Sequence, residues 1–131
     1  NVAEYKTNVL ESRIWQMRCN FILENNSNTI IACNNLLSTE KISNELIYEA
    51  HITIAKSAMR MDSIALAQAE FLATSKMTSS EVGAEAKYYL ALIQYNMQNY
   101  DEADKICFEL ISQIPSYDYW IAKSFILTAD I

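Results

Sequence analysis

The chain has almost no residues that force the backbone to turn. Its 131 residues include one glycine, Gly83, and one proline, Pro115. Sheet proteins and loop-rich folds need many more turn-forming residues than this. Apolar residues make up 51% of the chain, which is enough for a hydrophobic core and far from the disordered class. The sequence therefore predicts an all-α protein of long helices joined by short turns.

The charge and the scarcity of metal-binding residues argue against several functional classes. The formal net charge of −6 disfavours nucleic acid, whose phosphates require a basic surface. Cys19, Cys33 and Cys107 form no CxxC pair, and His51 is the only histidine, so zinc-ligand spacing is absent. No nucleophile motif or glycine-rich phosphate loop accompanies His51. We expect no catalytic residues, no metal and no cofactor, and we expect all three cysteines to be small buried residues.

The sequence leaves the cellular compartment of the protein open. No segment approaches the roughly 20 apolar residues of a membrane helix, and the opening residues NVAEYKTNVLE lack the apolar core of a signal peptide. The chain starts without methionine and stops inside a helical pattern, so we interpret it as a fragment of a longer protein. The compartment stays open between the cytoplasm and the periplasm or cell envelope.

Apolar residues at helical spacing predict seven helices, in which long and short helices alternate. The predicted ranges are Ala3–Leu23, Thr29–Leu37, Asn44–Arg60, 62–76, Glu81–Met97, 100–113 and Tyr119–Ile131. Ser43 and Ser80 are predicted N-caps. Asn99 and Glu102 are predicted to form a capping box, in which each side chain bonds the other residue's backbone N–H.

A small residue recurs near the start of each short helix. Thr29, Ala67 and Ala103 occupy this place and lie 38 and 36 residues apart. Self-similarity at such a period is the signature of a repeat protein. The offsets predict three helix pairs that stack on one another to bury their apolar faces.

The segment Ala84–Tyr117 carries the clearest copy of the repeat. Its defining positions are Leu90-Ala91 and Tyr95 in the first helix, Asn99-Tyr100-Asp101-Glu102-Ala103 at the turn and second helix, and the closing Pro115. This pattern resembles a tetratricopeptide repeat (TPR), although Lys87 and Cys107 replace two usual aromatic residues. A second copy from about Tyr48 matches moderately, and the first is weak. The segment Ser116–Ile131, together with the repeat before it, is also similar to the TPR proteins of Bacteroidetes envelopes.

The resemblance implies a right-handed superhelix of antiparallel helix pairs, a TPR-like α-α solenoid. Its repeats would cover residues 3–42, 43–79 and 80–116, and 117–131 would be the first helix of a truncated fourth. Ala91 and Ala103 would face each other where the two helices of the third pair cross.

The resemblance also implies a function as a non-catalytic scaffold that binds a peptide or protein segment on a concave helical face. The partner-binding candidates at the family's concave positions are Trp15, Arg18, Thr53, Lys56, Arg60, Tyr89, Leu92 and Asn96. Ile22, Glu49 and Glu85 map to further positions of that face. Three of these candidates are cations in an acidic chain, which suggests an acidic partner; the alternative is a mixed, solvated face.

A second surface and a second function stay open. Tyr117, Tyr119 and Trp120 could stack on sugars, or they could fasten the last helix to the third pair. The alternative function is therefore an envelope module that uses TPR helices as a frame for a ligand, with glycans as one class. The last helix lacks its pairing helix, so we expect an exposed apolar patch and self-association through it.

Overall fold

The computed structural model describes residues Asn1–Ile131 and contains seven α-helices and no strand. The helices are α1 (Val2–Ile22), α2 (Asn26–Leu37), α3 (Asn44–Arg60), α4 (Ile64–Met77), α5 (Glu81–Asn96), α6 (Tyr100–Ile111) and α7 (Asp118–Asp130). The all-α prediction is confirmed, and neighbouring helices pack on one another within each unit. The chain divides into two compact units, Asn1–Ala67 and Gln68–Ile131, and α4 crosses the division. No helix is both long enough and apolar enough to cross a membrane.

In the first unit, α1 packs on α2, α2 packs on α3, and α1 also touches α3. One core cluster joins them, made of Met17, Ala32, Cys33, Leu36, Ala50 and Ile54. Arg13, just past the middle of α1, donates to Thr39 beyond the end of α2, while residues 23–25 join the end of α1 to the start of α2, so the two helices run antiparallel. Because Met17 is the only buried residue of α1, this helix contributes a narrow apolar stripe and leaves its other faces to solvent.

In the second unit, α5 packs on α6 and both contact α7. Its core consists of one cluster with Ala84, Leu110 and Trp120, and another with Ala91, Cys107 and Leu127. Ala91 and Ala103 are both fully buried. Direct contact between these two alanines stays a prediction, as do the repeat boundaries.

The same kind of turn joins three pairs of consecutive helices, termed hairpins for this turn: α1 to α2, α3 to α4, and α5 to α6. Each turn places one non-glycine residue in the left-handed region: Glu24 (φ 59°), Asp62 (φ 60°) and Gln98 (φ 64°). These residues lie 38 and 36 apart, the same offsets as the small residues above. The next residue's N–H donates to the carbonyl five positions earlier: Asn25 to Asn20 at 2.9 Å, Ser63 to Ala58 at 2.8 Å and Asn99 to Gln94 at 2.9 Å. This 6→1 bond satisfies a carbonyl at the end of the first helix, as in a Schellman motif.

Two predicted helix starts are wrong in detail. The Asn99–Glu102 capping box does not form: the Asn99 side chain makes no cap and instead donates to Gln94 Oε1 at 3.0 Å. The reason is the turn itself, which holds Asn99 at φ −87°, ψ 68° rather than in the extended backbone of a capping residue. Ser80 is the residue before α5, but its side chain caps no backbone N–H; its hydroxyl accepts from Thr78 Oγ1 at 2.8 Å.

Other caps follow the expected chemistry. Ser43 caps α3 as predicted, accepting from the Leu46 N–H at 3.3 Å. Asn1 and Glu4 form a capping box at the start of α1. The second helix begins at Asn26, three residues before the predicted Thr29, because the tight turn needs only residues 23–25 to reverse the chain.

Cys19 is exposed, so the prediction that all three cysteines are buried is wrong for this one. It lies two residues from the buried Met17, which places it about 200° around α1 and away from the core. Cys33 and Cys107 are buried, as predicted.

The only glycine lies where a helix approaches another backbone segment. A Cβ built at Gly83, in the first turn of α5, would lie closer than 3.0 Å to the carbonyl oxygen of Thr78. Real Cβ atoms essentially never make such a contact. Gly83 therefore allows the 77–80 connection to fold tightly against the start of α5.

Candidate functional site

Predicted concave residues of the first unit meet in a groove between α1 and α3, termed the α1/α3 groove. It has a volume of about 250 Å³ and is lined by Trp15, Met17, Arg18, Phe21, Ile22, Glu49 and Thr53. Positions 15, 18 and 22 fall on one face of α1, and 49 and 53 fall on one face of α3, because helix faces repeat every three to four residues. Residues that the sequence mapped separately onto two helices therefore share one surface.

The groove has a buried floor and an apolar, exposed rim. Met17 is fully buried and Thr53 is 7% exposed. Thr53 therefore belongs to the floor of the groove and does not protrude into solvent. Trp15 and Ile22 expose 59% and 76% of their surface and stand at the rim. Large apolar side chains exposed beside a groove are the kind of surface that a partner's side chain can cover.

An ion pair between Arg18 and Glu49 spans the groove. Arg18 Nε donates to Glu49 Oε1 at 2.8 Å, and one terminal nitrogen donates to Oε2 at 2.9 Å. The hydrogen bond to Glu49 raises the pKa of the Arg18 guanidinium; burial opposes this and the Glu49 charge adds to it. Both side chains are about one-third or more exposed, so solvent screens the pair and it contributes little to stability. The pair does, however, offset the Arg18 charge.

Arg60 lies beside the groove rather than among its lining residues, and Phe21, which does line the groove, holds it there. Its guanidinium lies over the Phe21 ring at 4.1 Å, and one N–H donates to the Phe21 carbonyl at 3.0 Å. It makes no ion pair with a carboxylate. Lys56 is half-buried and, at four residues before Arg60, belongs to the same face of α3. Arg18 and Arg60 thus differ in their surroundings, because Glu49 offsets the charge of Arg18 and no carboxylate pairs with Arg60.

The second unit contains a separate depression, the α5/α7 cleft, of about 200 Å³. It is lined by Tyr88, Leu92, Tyr95, Lys123, Ile126, Leu127 and Asp130. Of the three candidates predicted in this unit, only Leu92 lines it. Asn96 is exposed at the end of α5, and Tyr89 stacks on Phe71 with ring centroids 5.0 Å apart. Burial and the Glu85 charge raise the pKa of Tyr89, and Lys123 partly opposes this.

The aromatic cluster at the start of α7 mainly fastens that helix to α5. Trp120 is buried, with its ring centroid 5.7 Å from that of Tyr88 and 6.1 Å from that of Tyr89. The Lys123 ammonium lies 5.0 Å from the Tyr88 centroid, which adds a cation–π contact between the helices. Tyr119 stays exposed. Sequence reasoning missed Lys123, although its place three residues after Trp120 puts both on one helix face.

The free side of α7 is apolar, as predicted. Trp120, Ser124 and Leu127 are buried, whereas Phe125 and Ile126 expose 56% and 67% of their surface. Elsewhere, no group of three or more His, Cys, Asp or Glu side chains is arranged to hold a metal ion. His51 is half-buried within α3.

Comparison with known proteins adds no relative. No family model, no curated protein and no solved structure matches this chain. The resemblance to tetratricopeptide repeats therefore rests on its residues and on the helix hairpins described above.

Proposed function

We propose that this chain is a TPR-like, non-catalytic interaction module whose α1/α3 groove binds a segment of a partner protein. The observation that carries the proposal is the pairing of exposed Trp15 and Ile22 with a shallow, mostly apolar groove. Tryptophan and arginine are enriched among the residues that dominate binding energy at protein interfaces. Covering these side chains would remove apolar surface from water.

The repeated architecture supports the TPR-like part of the proposal. Three hairpins share one turn geometry at offsets of 38 and 36 residues, close to the 34-residue period of the family. The first helices of two successive pairs, α1 and α3, line the groove. Stacked repeats of this kind commonly present extended surfaces for binding partners.

A displayed library of random 12-residue peptides tests the proposal. We expect the purified chain to enrich peptides that share a large apolar anchor. Trp15→Ala and Ile22→Ser should each weaken their binding by at least about 5-fold, the effect of losing an interface residue worth 1 kcal/mol or more.

The matched control is Ile31→Ser on α2. Ile31 belongs to the same unit and is 57% exposed, but it does not line the groove. Its replacement should leave peptide binding unchanged. Failure to enrich any peptide, or equal losses for Ile31→Ser and the groove variants, would rule the groove out as the binding surface.

Self-association through the exposed side of α7 forms a second part of the proposal. Phe125 and Ile126 are the apolar residues that a second copy would cover. Sedimentation over a wide concentration range should show a dimer that Phe125→Ser weakens. Monomeric behaviour at high concentration would show that this face stays exposed to solvent and does not mediate self-association.

A further inference from the structure

The α1/α3 groove is electrostatically uneven. At one place Arg18 and Glu49 offset each other through two hydrogen bonds. At Phe21, the Arg60 guanidinium carbon lies 4.1 Å from the ring centroid, and one N–H donates to the Phe21 carbonyl. A guanidinium has five N–H donors, so Arg60 retains several for a ligand.

Arg60 is also well prepared to bind an anion. Its guanidinium is held over the Phe21 ring and by the hydrogen bond to the Phe21 carbonyl, so less side-chain entropy is lost when a carboxylate binds than for an unrestrained arginine. Lys56 adds positive charge on the same face of α3. Both cations stand out in a chain with a net charge of −6.

We infer that the groove selects acidic partner segments: a carboxylate side chain pairs with Arg60 while a neighbouring apolar side chain packs against Trp15 and Ile22. Charge complementarity is the basis of this choice, because the one acidic lining residue, Glu49, is already paired with Arg18. The inference rests on the proposed binding function and specifies the chemistry of the partner.

The same arrangement assigns Glu49 a role that opposes binding. Its carboxylate shares the groove with the incoming acid, and pairing with Arg18 only offsets its charge. Glu49→Gln keeps the side-chain shape and can still accept from Arg18, but it leaves the Arg18 charge uncompensated. The variant should therefore bind acidic segments more tightly than the parent chain, which a purely structural role for Glu49 would not produce.

Three matched peptide pools provide the probe. Each holds dye-labelled octapeptides with capped ends and mixed Leu, Phe, Ala and Ser, and the pools differ in one fixed residue: glutamate, glutamine or lysine. Binding to the full chain is followed by fluorescence anisotropy. We expect the glutamate pool to bind about 2–5-fold tighter than the glutamine pool, the range of a partly exposed ion pair. The lysine pool should bind most weakly, and added salt should shrink the differences.

Variants assign the preference to Arg60. Arg60→Gln should remove the preference for glutamate over glutamine, and Glu49→Gln should increase it by a further factor of about 2–5. Arg60→Lys keeps the positive charge and should keep part of the preference for glutamate. This variant therefore separates the effect of the charge from the effect of packing lost on Phe21. Arg13→Gln is the control, since Arg13 donates to Asn35 and Thr39, whereas Arg60 is held by the lining residue Phe21.

The outcomes separate the two proposals. Equal binding of the glutamate and glutamine pools, with Trp15→Ala still reducing both, would overturn the acidic preference and leave the binding function standing. A preference for glutamate that survives Arg60→Gln would also overturn the inference. Absence of binding by every pool would overturn both.

Discussion

Gly83→Ala provides the sharpest test of the packing in the second unit, because two principles predict opposite signs. In an ordinary helix interior, replacing glycine with alanine stabilises by about 0.5–1 kcal/mol. At Gly83 the new Cβ would lie too close to the Thr78 carbonyl oxygen, so backbone must move. The structure therefore predicts destabilisation where helix propensity alone predicts a gain.

The magnitude follows from what resists that movement. The Thr78 turn is held by a hydrogen bond from Ser80 N–H to Thr78 Oγ1 at 3.0 Å and by one from Gln113 Nε2 to the Ser79 carbonyl at 3.0 Å. Each such bond contributes about 0.5–1.5 kcal/mol. Overpacking of a tight site typically costs about 1–3 kcal/mol. Either route costs about 1–3 kcal/mol, and the helix-propensity gain of about 0.5–1 kcal/mol offsets part of this cost, so we expect a net loss of about 0.5–2 kcal/mol.

Urea unfolding monitored by tryptophan fluorescence measures this loss. In a Trp15→Phe background, Trp120 is the only tryptophan and reports on the cluster that contains Ala84. With a urea dependence of about 1–3 kcal/mol/M, the midpoint should fall by roughly 0.2–2 M. Asn96→Ala, an exposed change in the same helix, is the control and should stay within about 0.5 kcal/mol of the parent. A Gly83→Ala variant as stable as its parent would refute the close approach.

Three further outcomes are expected. Ala103→Leu should destabilise the chain by about 1–3 kcal/mol in the same urea assay, because Ala103 is fully buried and overpacking has no room to relax; an unchanged midpoint would contradict the predicted repeat register. Cys19 should react quickly with a thiol reagent, whereas Cys33 and Cys107 should react only after unfolding, since burial also raises the pKa of the Cys107 thiol. The raised pKa of Tyr89 means that its contribution to stability is complete below about pH 10 and is lost as pH rises through the folded pKa. Melting curves from pH 8 to 11 should fall less steeply for Tyr89→Phe than for the parent.

The number and type of helices could be predicted from sequence because apolar periodicity and the lack of turn residues are local signals. Interactions between distant residues could not. The pairing of Arg18 with Glu49 joins residues 31 apart, so the sequence counted Arg18 as an available cation. The Asn99 capping box failed for a related reason: the residue pattern was right, but the turn had already fixed the Asn99 backbone. Tertiary context overrode a correct local preference in both cases.

The three hairpins share one turn geometry and are therefore similar structural units. Each turn is an apolar residue, a polar residue in the left-handed region and an asparagine or serine: Leu23-Glu24-Asn25, Met61-Asp62-Ser63 and Met97-Gln98-Asn99. Because a backbone hydrogen bond between near neighbours closes each turn, the side chain of the residue in the left-handed region is not needed to hold the turn together. A hairpin can then form early from contacts close in sequence, before the pairs pack on one another. Whole hairpins could be duplicated or lost in such a chain, whereas a single-residue insertion in the turn would shift one helix against its partner.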